Sequence, residues 1–155
     1  MLEKIIRKYY DEIFRYCCHH VESRAAAEDL CQDTFVSFIE HWPEYGGGRT
    51  KPCLYTIARN KCTDYYRKRT PIPMETVPET VAGELPEEAV VVRQMVAALP
   101  EELREAVILR YFQGLKYTEL AAVMGISSSL AKYRVRKGLE ILSEMEGGAY
   151  GTKRD

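Results

Sequence analysis

Between Ser127 and Lys137 the chain places several side chains suited to gripping a polyanion and not one acid. Ser128, Ser129, Lys132, Tyr133, Arg136 and Lys137 recur at three- and four-residue spacing, so on a helix they share an outward face. Arginine and lysine pair with guanine edges, while serine hydroxyls and backbone amides hold phosphates. A second cluster, Tyr55, Arg59, Asn60, Lys61, Asp64, Tyr65, Tyr66, Arg67, Lys68 and Arg69, interleaves rings with cations. Exposed rings stack on unpaired bases for about 1–3 kcal/mol each. On spacing alone, Tyr65 reads equally as core, and Asp64 equally as the partner of Lys68 four residues on. A third run, Cys17-Cys18-His19-His20, has metal-ligand types, but consecutive helical side chains fan out by about 100° and do not converge on one ion. Cys17 is expected on a buried face.

These side chains need helices to hold them, and helical periodicity dominates. Leu2, Ile5, Ile6, Tyr9, Ile13 and Cys17 mark one apolar face of a first helix. A second helix is expected from about Ser23, its N-cap, to Trp42, with Leu30, Thr34, Phe35, Phe38 and Trp42 inward. Pro43 and Gly46-Gly47-Gly48 end it. Thr50 and Pro52 open a third, whose inner face is Leu54, Ile57, Ala58 and Tyr65. From Thr70 to Pro86, four prolines and aperiodic apolar residues predict a linker. Fully extended it would reach about 55–60 Å, so the flanking units need not touch.

Beyond it, EEAVVVRQMVAAL and EELREAVILRYF read as helices divided by Pro100, with Gly114 ending the second. A short helix, Thr118–Met124, turns Leu120, Ala121 and Met124 inward. Gly125 then stands where a tight turn needs a left-handed backbone, Ile126 tucks beneath it, and Ser127 caps the next helix, Ser128–Leu142. This is a helix-turn-helix pattern, whose second helix lies in the major groove. GGAYGTKRD reads as a frayed tail. The expected fold is all-α: two small helical domains, 1–70 and 87–146, joined by a flexible linker, 71–86, with a disordered tail, 147–155.

The 155 residues carry a net charge of −1 that hides segregation. Residues 59–69 hold five basic residues against one acid, residues 128–138 four against none, and residues 71–108 two against eight acids. Two basic clusters around an acidic middle suit a protein that meets a polyanion twice. No stretch approaches the roughly 18 consecutive apolar residues of a membrane span, and no secretory apolar run opens the chain. A cytoplasmic location without membrane contact is expected. Five cysteines, an odd number and all within the first 62 residues, do not suggest a disulfide framework.

AEDLCQDTFVSFIEHW followed by CLYTIARNKCTDYYRKR resembles region 2 of the sigma-70 family of RNA polymerase sigma factors, in its small extracytoplasmic-function (ECF) branch. LPEELREAVILRYFQGLKYTELAAVMGISSSLAKYRVRKGLEIL is similar to region 4 of that branch. The resemblance implies that Asp29, Gln32, Asp33 and Val36 meet the β′ clamp helices of core RNA polymerase. It implies that Arg49, Lys51, Tyr55, Arg59, Asn60, Asp64, Arg67 and Lys68 engage the −10 element, and that the loop Gly46–Lys51 captures a flipped base. Thr118, Ser127, Ser128, Ser129, Lys132, Tyr133, Arg136 and Lys137 would read the −35 element, with region 4 also touching the β flap. An anti-sigma factor is a further partner that the resemblance raises. Cys53 stands where the family usually has tryptophan, Ser129-Leu130-Ala131 where it has Gly-Thr-Val, and the loop lacks the usual aromatic.

No phosphate-binding glycine loop, catalytic carboxylate pair or Ser/His/Asp set is legible, so neither an enzyme nor a cofactor is expected. Two other readings remain from the residues: a stand-alone helix-turn-helix regulator, and a metal- or thiol-responsive signalling protein using the cysteines.

Overall fold

In a computed structural model, residues 2–41, 49–68 and 87–150 are described, with side chains of 87–90 and 146–150 outside that set. Every described element is a helix: α1 Leu2–Cys18, α2 Arg24–Glu40, α3 Thr50–Arg67, α4 Glu87–Ala97, α5 Glu101–Val107 running into a π turn Ile108–Phe112, α6 Tyr117–Met124 and α7 Ser128–Tyr150.

The first unit is a three-helix packing of α1, α2 and α3. Ile13, Tyr16 and Cys17 of α1 meet Ala27, Leu30, Cys31, Phe35 and Phe38 of α2 and Leu54, Ala58 and Cys62 of α3, all buried. The three- and four-residue spacing of those apolar residues is what folds the segments together. Ser23 starts α2 as expected: its hydroxyl accepts from the Ala26 N–H at 3.1 Å. Thr34, buried among apolar neighbours, satisfies its hydroxyl on the Leu30 carbonyl at 2.8 Å. Trp42, the Gly46–Gly48 loop and the linker 71–86 lie outside the described residues.

In the second unit α5 crosses α7, and α6 packs on α7. The crossing is close because Gly138 lacks a side chain: a Cβ there would stand 2.6 Å from Val107 Cγ2. Gly114 (φ 71°) turns the chain after the π turn, and Gly125 (φ 70°) makes the tight turn between α6 and α7. Both adopt the left-handed backbone that glycine takes without a Cβ clash. Ser127 caps α7 by accepting from the Leu130 N–H at 3.1 Å.

Three features depart from the sequence expectation. The segment EELREAVILRYF is not one regular α-helix, because Gln113 N–H bonds the Ile108 carbonyl five residues back, at 3.0 Å. Helix α7 continues through Gly147 and Gly148 to Tyr150, where a frayed tail was expected from 147. Adding a residue to a long helix costs no new nucleation, so two glycines at about 1 kcal/mol each do not stop it. The third departure is larger: the two units touch.

Their contact is polar and buried. Tyr16 of α1 donates its hydroxyl to the Glu105 carboxylate of α5. Arg59 Nε of α3 lies 3.9 Å from that carboxylate, and His20 Nε2 lies 3.3 Å from its other oxygen without hydrogen-bond alignment. Gln113 Nε2 donates to the Glu12 carbonyl and to the Tyr55 hydroxyl, both at 2.8 Å. Arg93 reaches back to the Cys18 carbonyl at 2.9 Å, and the rings of His19 and Phe112 meet at 4.7 Å between centroids. Helix α6 rests on α3. A linker long enough to keep the units apart does not oblige them to separate, and a buried carboxylate with three partners gives them a reason to close.

Candidate nucleic-acid interface

Helix α7 is positioned from beneath. Ala131, Val135 and Gly138 face the unit's core, against Val107, Leu109, Leu120 and Ala121. That leaves Ser129, Lys132, Tyr133, Arg136 and Lys137 exposed on the opposite face, and Tyr133 is 56% accessible. Ser128 is half-buried, while Thr118 and Ser127 are exposed at the starts of the two helices. Lys137 Nζ is 3.4 Å from Glu140, a solvent-exposed pair that gives little resistance to exchange for a phosphate. Lys132 leans over the Tyr117 ring at 5.7 Å, and Arg110 lies over that ring at 4.3 Å. Arg110 is a cation beside this face that sequence reasoning missed. It sits in the π turn, where a regular helical count misplaces it.

The α3 cluster is less uniform. Asn60, Asp64, Arg67 and Lys68 are exposed along its C-terminal half. Asp64 pairs at 3.9 Å with Arg67, three residues on, rather than with Lys68. Arg59 is half-buried and turned toward Glu105. Lys51 is 3.8 Å from Glu12. Arg49 is exposed just before the helix. Tyr55 is a correction: it is 0% accessible, stacked edge-on to Tyr16 and donating to Glu12 at 2.6 Å, so it is core and faces no DNA here. Burial and the neighbouring Glu12 carboxylate push its phenol above the ordinary range. The aromatic-with-cation pattern could not separate Tyr55 from Tyr66, because both are three or four residues from a cation. Tyr65 is half-buried and hydrogen-bonded to Glu22 at 2.7 Å.

On α2, Asp29, Gln32, Asp33 and Val36 are all exposed on one face, and Ile39 extends it. Val36 at 53% and Ile39 at 40% accessible make a small apolar strip flanked by carboxylates.

The cysteines do not form a metal site: no group of three or more His, Cys, Asp or Glu among the described residues is placed to hold an ion. Cys17 is buried as expected, and its thiol is pushed far up by a hydrogen bond with Cys62 and by burial. Cys31 is pushed up to about 12, chiefly by burial. Thiols held protonated are poor ligands and poor nucleophiles. His19 and His20 are both held below the usual histidine range by burial; nearby Arg93 adds to the effect on His19, while Glu105 opposes it on His20 without prevailing.

A helix-turn-helix with a cationic face, joined to a three-helix unit with a basic third helix, matches known proteins in both halves. Residues 5–72 match Sigma-70 region 2, and residues 89–142 match Sigma-70 region 4. The ECF RNA polymerase sigma factor SigM of Bacillus subtilis (strain 168) is 30% identical over 91% of this chain and 94% of its own. The chain belongs to the ECF branch of the sigma-70 family. The sigma factor SigZ of the same organism is 31% identical over 99% of this chain and 92% of its own. Among solved structures, CnrH in complex with the cytosolic domain of CnrY has a TM-score of 0.76 at 21% identity, covering 95% of this sigma factor and 88% of that chain. RpoE of Bartonella quintana, in complex with the anti-sigma factor NepR, has a TM-score of 0.75 at 22% identity, covering 92% and 94%. These two likenesses show a shared two-unit fold. As a sigma factor the protein serves transcription initiation, with core RNA polymerase and promoter DNA as partners, and is not an enzyme. No helix among the described residues is long and apolar enough to cross a membrane.

Proposed function

We propose that this sigma factor brings core polymerase to promoters through three separate surfaces. The α2 face of Asp29, Gln32, Asp33 and Val36 docks on the β′ clamp helices. The exposed part of the α3 cluster, Arg49, Asn60, Asp64, Arg67 and Lys68, with Lys51 and Arg59 once freed, engages the −10 element. The α7 face, with Thr118 and Ser127, reads the −35 element, and the rest of region 4 meets the β flap. The observation that carries this reading is the α7 face: five exposed polar, aromatic and cationic side chains on a helix whose other side is fixed by the core. A lone helix of this kind binds DNA weakly, and a second contact on the same tethered assembly supplies effective concentration.

An anti-sigma factor is a fitting inhibitory partner, because the similar folds of CnrH and RpoE were solved with such proteins. A cytoplasmic site of action follows from the same role. Promoter mapping after induced expression, followed by run-off transcription with core polymerase, tests the reading. Transcripts starting at the mapped sites only when the chain is added are the expected result. Initiation at those sites by core alone would return the chain to a stand-alone regulator.

A further inference from the structure

The residues that hold the two units together overlap with those offered to the −10 element. Arg59 of the −10 set lies against Glu105 of the second unit, and Lys51 lies against Glu12, whose carbonyl receives Gln113. Helix α6, the first helix of the helix-turn-helix, covers the N-terminal half of α3. Between them lies a cavity of about 350 Å³, lined by Arg49, Thr50 and Lys51 on one side and Thr118 and Glu119 on the other. At about 30 Å³ per water, that space holds roughly a dozen waters and no duplex. The α2 face behaves differently: Asp29, Gln32, Asp33 and Val36 are uncovered in the same structure.

We propose that the contact centred on Glu105 is an autoinhibitory latch: it closes the free sigma factor, withdraws Arg59 and the start of α3 from DNA, and leaves the α2 face open so that polymerase docks before DNA does. The inference rests on the functional reading above and adds an order to it. Arg59 cannot serve Glu105 and a phosphate at once, so closure and −10 binding exclude each other through a shared side chain. A contact built from hydrogen bonds and one buried carboxylate, with few apolar neighbours, resembles the interfaces between domains that move. Opening also gives Tyr16, His20 and Glu105 back to water, which limits its cost.

The test compares the full-length parent with Tyr16→Phe combined with Gln113→Ala, and with Glu105→Ala. The first variant keeps the Tyr16 ring in its core and removes the polar reach across the contact. Circular dichroism confirms that each variant is folded, and the first variant carries the test if Glu105→Ala does not fold. Small-angle X-ray scattering should give a compact parent and a larger radius of gyration for the variants. Fluorescence anisotropy with a mixed-sequence forked duplex, without polymerase, should show variants binding about three- to tenfold tighter, as a larger binding-competent fraction requires. Core-polymerase affinity should stay unchanged. Parent-like scattering in folded variants overturns the latch, and so does expansion with no gain in DNA affinity. Failure of every form to bind promoter DNA even with core polymerase would instead sink the functional reading, and the latch with it.

Discussion

Gly138 of α7 lies against Val107 of α5 so closely that a Cβ would come within 2.6 Å of the valine methyl. Valine is β-branched and stiff, so it has no easy rotamer to yield. Gly138→Ala should therefore destabilise the second unit by about 1–3 kcal/mol despite the better helix propensity of alanine. Thermal unfolding followed by circular dichroism would show a lower midpoint; an unchanged or raised midpoint would mean that the helices part without cost.

Lys132 and Arg136 stand on the exposed face of α7 one turn apart. If each reads a base edge, replacement by alanine should cost about 1–3 kcal/mol on the cognate promoter and relax preference at one position. A phosphate contact would weaken binding evenly across sequences and lower the salt dependence by about one unit. Anisotropy titrations on promoter variants at two salt concentrations separate these outcomes.

Asp33 sits in the exposed α2 face, away from the contact between units. Asp33→Arg should weaken binding to core polymerase while leaving helical content intact. Equal core affinity for mutant and parent would remove the docking surface from α2.

Stability should also depend on pH through His19 and His20. Both are held below the ordinary histidine value by burial, next to Arg93 and Arg15 for His19 and to Glu105, Arg104, Arg59 and Arg93 for His20. The unfolded chain protonates near pH 6.5 while the folded chain resists, so the unfolded state binds more protons below that point. Stability is thus fully present above about pH 6.5 and falls as pH drops toward the folded values. Urea unfolding at pH 7.5 and 5.5 should show this loss, and His19→Gln with His20→Gln should flatten it. A parent curve already flat over that window would contradict the burial of these rings.

Much of this was legible in residue order. The apolar spacing in α1 and α2, the Ser23 and Ser127 caps, and the positive-φ Gly125 are local features with local signals, and each stands where its signal put it. So do the exposed faces of α2 and α7. What escaped were properties that arise from elements distant in the chain. Tyr55 carries the same credentials as an exposed stacking ring until Tyr16, Glu12 and Gln113 surround it, the last 58 residues away. Glu105 reads as one more acid in an acidic stretch, and only the fold reveals Tyr16, 89 residues earlier, as its donor. The linker's length measured how far the units could part and carried no information on whether they would.

The π turn at Ile108–Phe112 carries one more residue than a regular turn of that helix would need. That surplus acts as a phase shift: removing a single amino acid there would rotate everything after it by about 100° relative to α5. Phe112 and Gln113 would then swing off the line they share with Glu105, while the hydrophobic spine upstream stayed in place. A lone deletion in this short stretch would thus uncouple the two halves of the molecule without touching any charged group, a lesion that substitution scanning would never sample.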